Sequence, residues 1–444
     1  MGRRSHSRAL GLWANGQRMG RWVIPASAAM EFTYDADWIA SPEGRSLSLS
    51  LPMNLDGKPL KGPTLGFFFD NLLPDSDAIR QRIRTRFRTR TGDTFDLLEA
   101  IGRDCAGALQ FLPDGDVPEA ITSIAATRLD DAKIEAMLRG VAAPALANDE
   151  DDDFRISIAG AQEKTALTWY RKRWCRPRGA TPTTHIFKLP LGLVGGRHLD
   201  LRSSLENEWL CGRLLAAYGV PVADSQVMVF GATKALVVTR FDRALHSSRA
   251  YWLRLPQEDL CQATGTPSAA KYESDGGPGV LEIARVLQGS ESRDEDLATL
   301  LRAQLLFWML AATDGHAKNF SLRLLAQGRY RLTPLYDVLS AWPIAGARHD
   351  QLHPQKLKLA MALRGTSKHY RIAEIQRRHF NATARACGLA ADMESIIGEV
   401  LGSTDAVIDS VGAALPKGFP AALFDAITTG LCSAAQKLAR MSPT

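Results

Sequence analysis

The stretch TDGHAKNFSL (313–322) puts Asp314, His316, Lys318 and Asn319 close together on one short segment. An aspartate there can orient an attacking hydroxyl as a general base. A lysine can neutralise a phosphoryl group in transfer, and His316 can contact a phosphate or brace the loop. An asparagine amide oxygen is a hard donor suited to Mg²⁺. A second such donor, Asp337, follows in the stretch RLTPLYD.

The flanking elements decide whether those groups can meet. Upstream, LLRAQLLFWMLAA (300–312) is apolar nearly all round, which predicts a helix buried in a core. Downstream, FSLRL (320–324) and RYRLT (329–333) alternate in the manner of strands and read as a β-hairpin. An antiparallel return brings residue 333 beside residue 320, so Asn319 and Asp337 end as neighbours able to share one Mg²⁺. The step from Asp314 to Asn319 is also the D-x-x-x-x-N spacing of protein-kinase catalytic loops. The alternative at this point is a polar turn, with Asp314 as a cap and His316 satisfied by backbone carbonyls.

A phosphate-transfer site needs a nucleotide cradle. RISIAGAQEKTAL (155–167) reads as strand, small-residue turn and strand, and Ala159, Gly160 and Ala161 let backbone amides approach phosphates. It is neither G-x-G-x-x-G nor a Walker A motif, and taken by itself it reads more readily as a plain hairpin turn. Lys188, mid-strand in THIFKL (184–189), is costly to bury unless paired. An ATP phosphate, with Glu208 from the helix expected at 204–218, would pair it. ALVVTRF (235–241) then leads from a strand toward a helical region, where a hinge would expose backbone groups to adenine.

The chain of 444 residues is 45% hydrophobic and 23% charged with formal charge +6, a globular composition that permits contact with polyanions. Its six cysteines lie far apart with no C-x-x-C pair, against a disulfide framework or zinc site. The basic start MGRRSHSRALGLW has no apolar core of a secretory signal, and no apolar run reaches 18 residues. A cytoplasmic protein with no membrane partner is expected. LSLSLP (47–52) and 154–159 read as strands, 164–170 likewise, and Asp75 or Ser76 as the cap of an arginine-rich helix over 75–90. Its alternate arginines, Arg80 to Arg90, favour a solvated surface over a phosphate-contacting patch. The Gly-rich KYESDGGPG (271–279) reads as structural or partner-facing. The acidic end of VAAPALANDEDDD (141–153) marks a linker.

Long strings in fixed order, among them NGQRMG, FFFDNLLPDS, FDLLEAIGRD, RISIAGAQEKTAL, LRLPQEDLCQATG, KYESDGGPG, ATDGHAKNFS and KLKLAMAL, resemble the HipA family of bacterial toxin kinases. The resemblance implies a mixed α/β, protein-kinase-like bilobal fold with an extra N-terminal α/β subdomain and a mostly helical C-lobe. The corresponding division is 1–148, 149–241 and 242–444. It implies a serine/threonine protein kinase, the toxin of a type II toxin–antitoxin module, using ATP and Mg²⁺. Asp314 becomes the catalytic base with Lys318 beside it, and Asn319 and Asp337 the metal ligands. Ala159, Gly160, Ala161, Gln162, Glu163 and Lys164 form the phosphate loop, Lys188 holds phosphates, and Thr239, Arg240 and Phe241 form the adenine hinge. His316 and Tyr336 complete the nucleotide site, and Ser157 matches an autophosphorylated, self-inactivating serine. The implied partners are a HipB-like helix-turn-helix antitoxin, operator DNA through that complex, and a protein substrate, glutamyl-tRNA synthetase in the best-known case, whose inactivation leads to dormancy. The basic segment 368–385, with Arg385, matches a region that contacts DNA. The alternative is a catalytically weak corepressor acting through its antitoxin.

Overall fold

The computed structural model describes residues 7–26, 29–142, 157–160, 162–389 and 393–444. The chain forms two compact units. The first comprises Met1–Leu189, Met228–Ala269 and Leu322–Tyr330, the second Pro190–Val227, Ala270–Ser321 and Arg331–Thr444. The linker expected over 141–153 begins two residues too early, since Val141 and Ala142 end the helix Asp131–Ala142, and the rest of it lies outside the described residues.

The first unit begins with a five-stranded sheet in the order Leu60–Lys61, Glu31–Tyr34, Gln17–Ile24, Arg8–Ala14, Leu109–Pro113. Its first hairpin turns through Asn15 (φ 47°) and Gly16 (φ 84°), the left-handed pair that a two-residue turn requires. Alternation in Arg8–Ala14 sends Leu10, Leu12 and Ala14 into a core with helices Pro63–Asp70 and Thr94–Ile101. There Trp22 stacks on Phe69 with centroids 4.0 Å apart and meets Phe95 at 4.7 Å. The arginine-rich helix runs Asp77–Phe87, capped by Ser76, whose hydroxyl accepts from the Ile79 amide; none of its residues is buried.

LSLSLP is not a strand. Ser48 and Leu51 form an isolated bridge around a turn, because the serine hydroxyls bond locally: the Ser50 amide donates to Ser48 Oγ at 3.1 Å. Both serines donate to the Gln262 carbonyl, at 3.1 and 2.6 Å. Ser48 also meets the buried carboxyl of Glu258, which accepts the Leu49 amide at 2.9 Å. Burial pushes Glu258 from 4.5 up to about 8, against these hydrogen bonds. The folded chain therefore holds a proton that the unfolded chain has already released. Glu258 thus favours folding most below pH 4.5, and that contribution is lost as pH rises through about 8. Glu258→Gln, which keeps an acceptor for Leu49 and a donor for Ser48, is expected to flatten the loss of stability between these pH values. Parallel wild-type and variant denaturation curves across that range would contradict this.

A second sheet, in this unit from Met228 of its first strand onward, runs in the order Ser225–Phe230, Thr233–Thr239, His185–Lys188, Lys164–Tyr170, Arg173–Pro177, Ala126–Arg128. Its core joins Leu167, Phe187 and Val237 to Ile134 and Leu138 of helix Asp131–Ala142. The strand expected over 154–159 is absent in its described part, 157–159, and the remainder lies outside the described residues.

In the second unit the apolar segment begins earlier than its periodicity indicated, as helix Arg293–Met309 with Asp294, Glu295 and Asp296 in its first turn. Acidic groups there complement the helix dipole. Leu300, Leu305, Leu306 and Trp308 are buried, and Trp308 Nε1 donates to the Ile372 carbonyl at 3.0 Å. Around it stand helices Val280–Leu287, Arg377–Ala386, Glu394–Ala413 and Ala421–Ala439, and the hairpin Lys358–Arg364/Lys368–Arg371. Among the described residues no helix is long and apolar enough to cross a membrane.

Candidate active site

The buried helix ends at Met309, and Ala311 (φ 49°) turns the chain into the polar loop. Gly315 lets the loop lie on the helix: a Cβ there would come within 2.5 Å of the Phe307 ring. The Asp314 carbonyl accepts from the His316 amide at 2.9 Å and from Asn319 Nδ2 at 2.8 Å. His316, Lys318 and Asn319 are buried, while the Asp314 side chain is 57% exposed. The loop's backbone is thus fixed by its own polar groups, and the carboxylate points outward.

The expected hairpin forms from Ser321–Leu324 and Tyr330–Leu332, its return closed by the Thr333 amide on the Ser321 carbonyl at 2.9 Å. Tyr336 then donates to the Lys318 carbonyl at 2.9 Å and shares a 2.5 Å hydrogen bond with Ser321 Oγ. Asn319 Nδ2 reaches the Asp337 carbonyl at 3.4 Å, closing the gap of 18 positions. With its nitrogen committed to two carbonyls, Asn319 has its amide oxygen to offer. Asp337 adopts φ 61°, a left-handed conformation rare outside glycine and frequent at functional sites. Backbone bonds of Leu335 and Ala223 across a parallel bridge hold this segment in register. An amide oxygen and a carboxylate suit Mg²⁺; among the described residues no cluster of three His, Cys, Asp or Glu side chains offers another metal site.

One group escaped the sequence reading. Tyr272, in KYESDGGPG, donates its hydroxyl to Asp314 Oδ1. Only the tyrosine's place in a Gly-rich loop hinted at it.

The expected phosphate loop, Lys188 and the hinge lie in the first unit. Gly160 has φ 113°, and a Cβ there would come within 2.5 Å of Lys164 Nζ, which itself donates to the Ala159 carbonyl at 2.5 Å. Gln162 donates to the Leu189 carbonyl at 2.5 Å, and Glu163 pairs with Arg82. Gly160 bridges to Pro74, and its carbonyl accepts from the Asp75 amide at 3.2 Å. Ala161 lies outside the described residues. Ser157 is fully buried, its hydroxyl donating to the Leu72 carbonyl at 2.8 Å. The loop is therefore seated on the N-terminal segment 72–82.

Lys188 is buried in an interior strand, opposite Leu236 on one side and Lys164 on the other. Glu208 is buried on helix Ser204–Ala217, in the second unit. Thr239 ends its strand exposed and Phe241 is half-buried. Arg240 is buried in an ion network with Asp104 and Asp242, so only its backbone is left to serve a ligand. Arg385 is exposed on helix Arg377–Ala386.

The family model for the HipA-like C-terminal domain matches residues 156–408, and that for the HipA N-terminal domain matches 10–112. The chain belongs to the HipA family. Among its relatives, Y4mE of Sinorhizobium fredii, which carries a kinase name, is 32% identical over 389 residues, 86% of each chain. The serine/threonine-protein kinase toxin HipA of Shewanella oneidensis is 32% identical over 345 residues, 74% of this chain and 72% of the relative. The solved complex of Shewanella oneidensis MR-1 HipA with HipB and operator DNA contains a chain of the same fold, with TM-score 0.78 at 23% identity, covering 97% of this chain and 98% of that one. With the family comes the enzyme class, a serine/threonine-protein kinase. The longer match contains the loop at 157–164, Lys188 and the whole of 314–337.

Proposed function

We propose that the chain is a toxin kinase that transfers the γ-phosphoryl group of Mg·ATP to a serine or threonine of a protein. The observation that carries this reading is the joining of Asp314, Asn319 and Asp337: Asn319 holds the Asp314 carbonyl at 2.8 Å and reaches the Asp337 carbonyl at 3.4 Å. Asp314 orients the acceptor hydroxyl and takes its proton, and Lys318 offsets charge on the phosphoryl group. Asn319 and Asp337 hold Mg²⁺, while Tyr336 and His316 brace the turn that carries them. When bound, Mg·ATP supplies the phosphoryl group and the charge that neutralises it. The segment Ala159–Lys164, including Ala161, lines the phosphates with backbone amides, Lys188 neutralises them, and the backbone of Thr239–Phe241 receives adenine.

The proposed setting is a cytoplasmic toxin–antitoxin module. The HipA–HipB–operator DNA assembly of the structural relative supports a HipB-like antitoxin and, through it, operator DNA as partners. Glutamyl-tRNA synthetase, with dormancy as the consequence, is the first substrate to test on family resemblance. Comparing phosphopeptides from cells expressing the wild-type chain or Asp314→Asn would name it. Phosphosites unchanged by the active form would contradict the proposal.

Ser157 is the proposed self-inactivation site. Its burial against Leu72 means that it reaches another kinase molecule only when the loop leaves its seat. Phosphorylation adds roughly −1.5 to −2 charges, and returning them to that buried seat, where the hydroxyl now meets the Leu72 carbonyl, carries a heavy desolvation cost. Incubation with Mg·ATP is expected to yield phospho-Ser157, and the modified protein to lose ATP binding. A modified form that binds ATP as before would end this mechanism while leaving the kinase reading intact.

A further inference from the structure

We propose that Tyr272 is the positioning residue of the catalytic carboxylate, and that the loop KYESDGGPG exists to hold its hydroxyl in place. The inference rests on the kinase reading of Asp314. The backbone of Asp314 is fixed by His316 and Asn319, yet its side chain is 57% exposed and would sample several rotamers. The Tyr272 hydroxyl on Oδ1 selects one of them. That leaves Oδ2 to accept the substrate hydroxyl. The tyrosine ring is itself set edge-on against His316, with centroids 5.0 Å apart at 84°, and the Lys271 ammonium lies 5.6 Å from its centroid.

The loop is built as an anchor. Beside Tyr272, Glu273 is buried, accepting the Ala362 amide at 2.7 Å and pairing with Lys368 at 2.8 Å. The glycines wrap the chain around this carboxylate. A Cβ on Gly279 would come within 2.3 Å of Glu273, and one on Gly277 within 2.0 Å of the Ala270 carbonyl. The Gly277 amide closes the turn on the Tyr272 carbonyl at 2.9 Å. A hydroxyl on so fixed a base acts as a support. A plug that must leave before substrate enters would not be pinned beside a buried carboxylate that holds a backbone amide and a lysine.

Tyr272→Phe keeps the ring and removes only the donor. With total lysate protein as acceptor and γ-labelled ATP as donor, it is expected to lower the maximal transfer rate by roughly tenfold, a partial misplacement of a reacting group. The ATP concentration for half-maximal rate and the melting temperature should not move. Glu273→Gln should show a smaller loss of the same kind, and the double variant should lose no more than Tyr272→Phe alone, because both act through one hydroxyl. A rate for Tyr272→Phe equal to wild type, or raised as loss of a plug would raise it, overturns the proposal. Additive losses in the double variant would overturn the anchoring role of Glu273. A wild-type chain that transfers no label would overturn the kinase reading and this inference with it.

Discussion

Asp314→Asn is expected to lower phosphotransfer by roughly 10²- to 10⁴-fold, the usual contribution of a positioned base, while leaving Mg·ATP binding close to wild type. The carboxylate is exposed and its loop is held through the Asp314 carbonyl, which the asparagine retains, so the loop should keep its shape. Asp337→Asn is expected to be as inactive for a different reason. It removes the charged member of the proposed metal pair from a residue already held at φ 61°, so Mg·ATP binding should weaken at least about tenfold, since even partners of metal ligands carry that much. Measuring transfer and nucleotide binding on both variants separates the roles. Full activity in either variant, or equal loss of binding in both, would contradict the assignment.

The largest expected effect on stability lies in the first unit. Asp104 accepts from Arg243 at 3.0 Å, from Arg254 at 3.1 Å, and from Arg240 at 3.3 Å, with Thr183 donating both its hydroxyl and its amide. Asp242 accepts from Arg240 at 2.7 and 2.9 Å, pairs with Arg243 at 2.9 Å, and takes the Gly107 amide at 2.8 Å. All five charged groups are buried, three guanidiniums against two carboxylates. Burial alone would push Asp104 up, but the guanidiniums outweigh it and hold the carboxyl well below the ordinary range. Arg243 shows the opposite strain: burial and the neighbouring Arg240 bring it down to about 10.

Removing one carboxylate leaves three buried cations facing a single anion. Asp104→Asn is therefore expected to cost about 3–5 kcal/mol. Asp114→Asn, at an exposed pair with Arg18 and Arg21, should cost no more than about 1 kcal/mol. The sign of the pH dependence follows from the depressed value. The stabilisation from Asp104 is fully present above the ordinary aspartate value of ~3.9. It is lost as pH falls through the folded value, so the gap between wild type and Asp104→Asn should narrow in acid. Denaturant melts followed by a probe in the N-terminal sheet check both points. A loss under 1 kcal/mol at pH 7 would show that the network is not holding the unit together.

What the sequence displayed was local. The strand Lys164–Tyr170 and helix Ser204–Ala217 stand close to where periodicity placed them, and the hairpin after Asn319 delivers Asp337 as its alternation required. The misreading at LSLSLP came from the same rule, since serine alternation mimics a strand when the hydroxyls are in fact bonding a turn. The contacts hidden from the sequence are those closed by distance along the chain. Asp104 meets Arg240 across 136 positions and Tyr272 meets Asp314 across 42, and no spacing rule connects them. Arg240 shows the consequence: the hinge reading asked only for its backbone, and the fold commits its side chain to Asp104 and Asp242, a role that no spacing in the sequence displays.

Transfer of phosphate to protein hydroxyls is the reaction proposed for this arrangement of Asp314, Asn319 and Asp337. Its most direct measurement is the incubation of the wild-type chain and Asp314→Asn with γ-labelled Mg·ATP and lysate protein, followed by phosphoamino-acid analysis of the labelled material. Label is expected on serine or threonine with the wild-type chain and is expected to be nearly absent with Asp314→Asn. Label confined to inorganic phosphate or small metabolites, or equal label from both proteins, would contradict it.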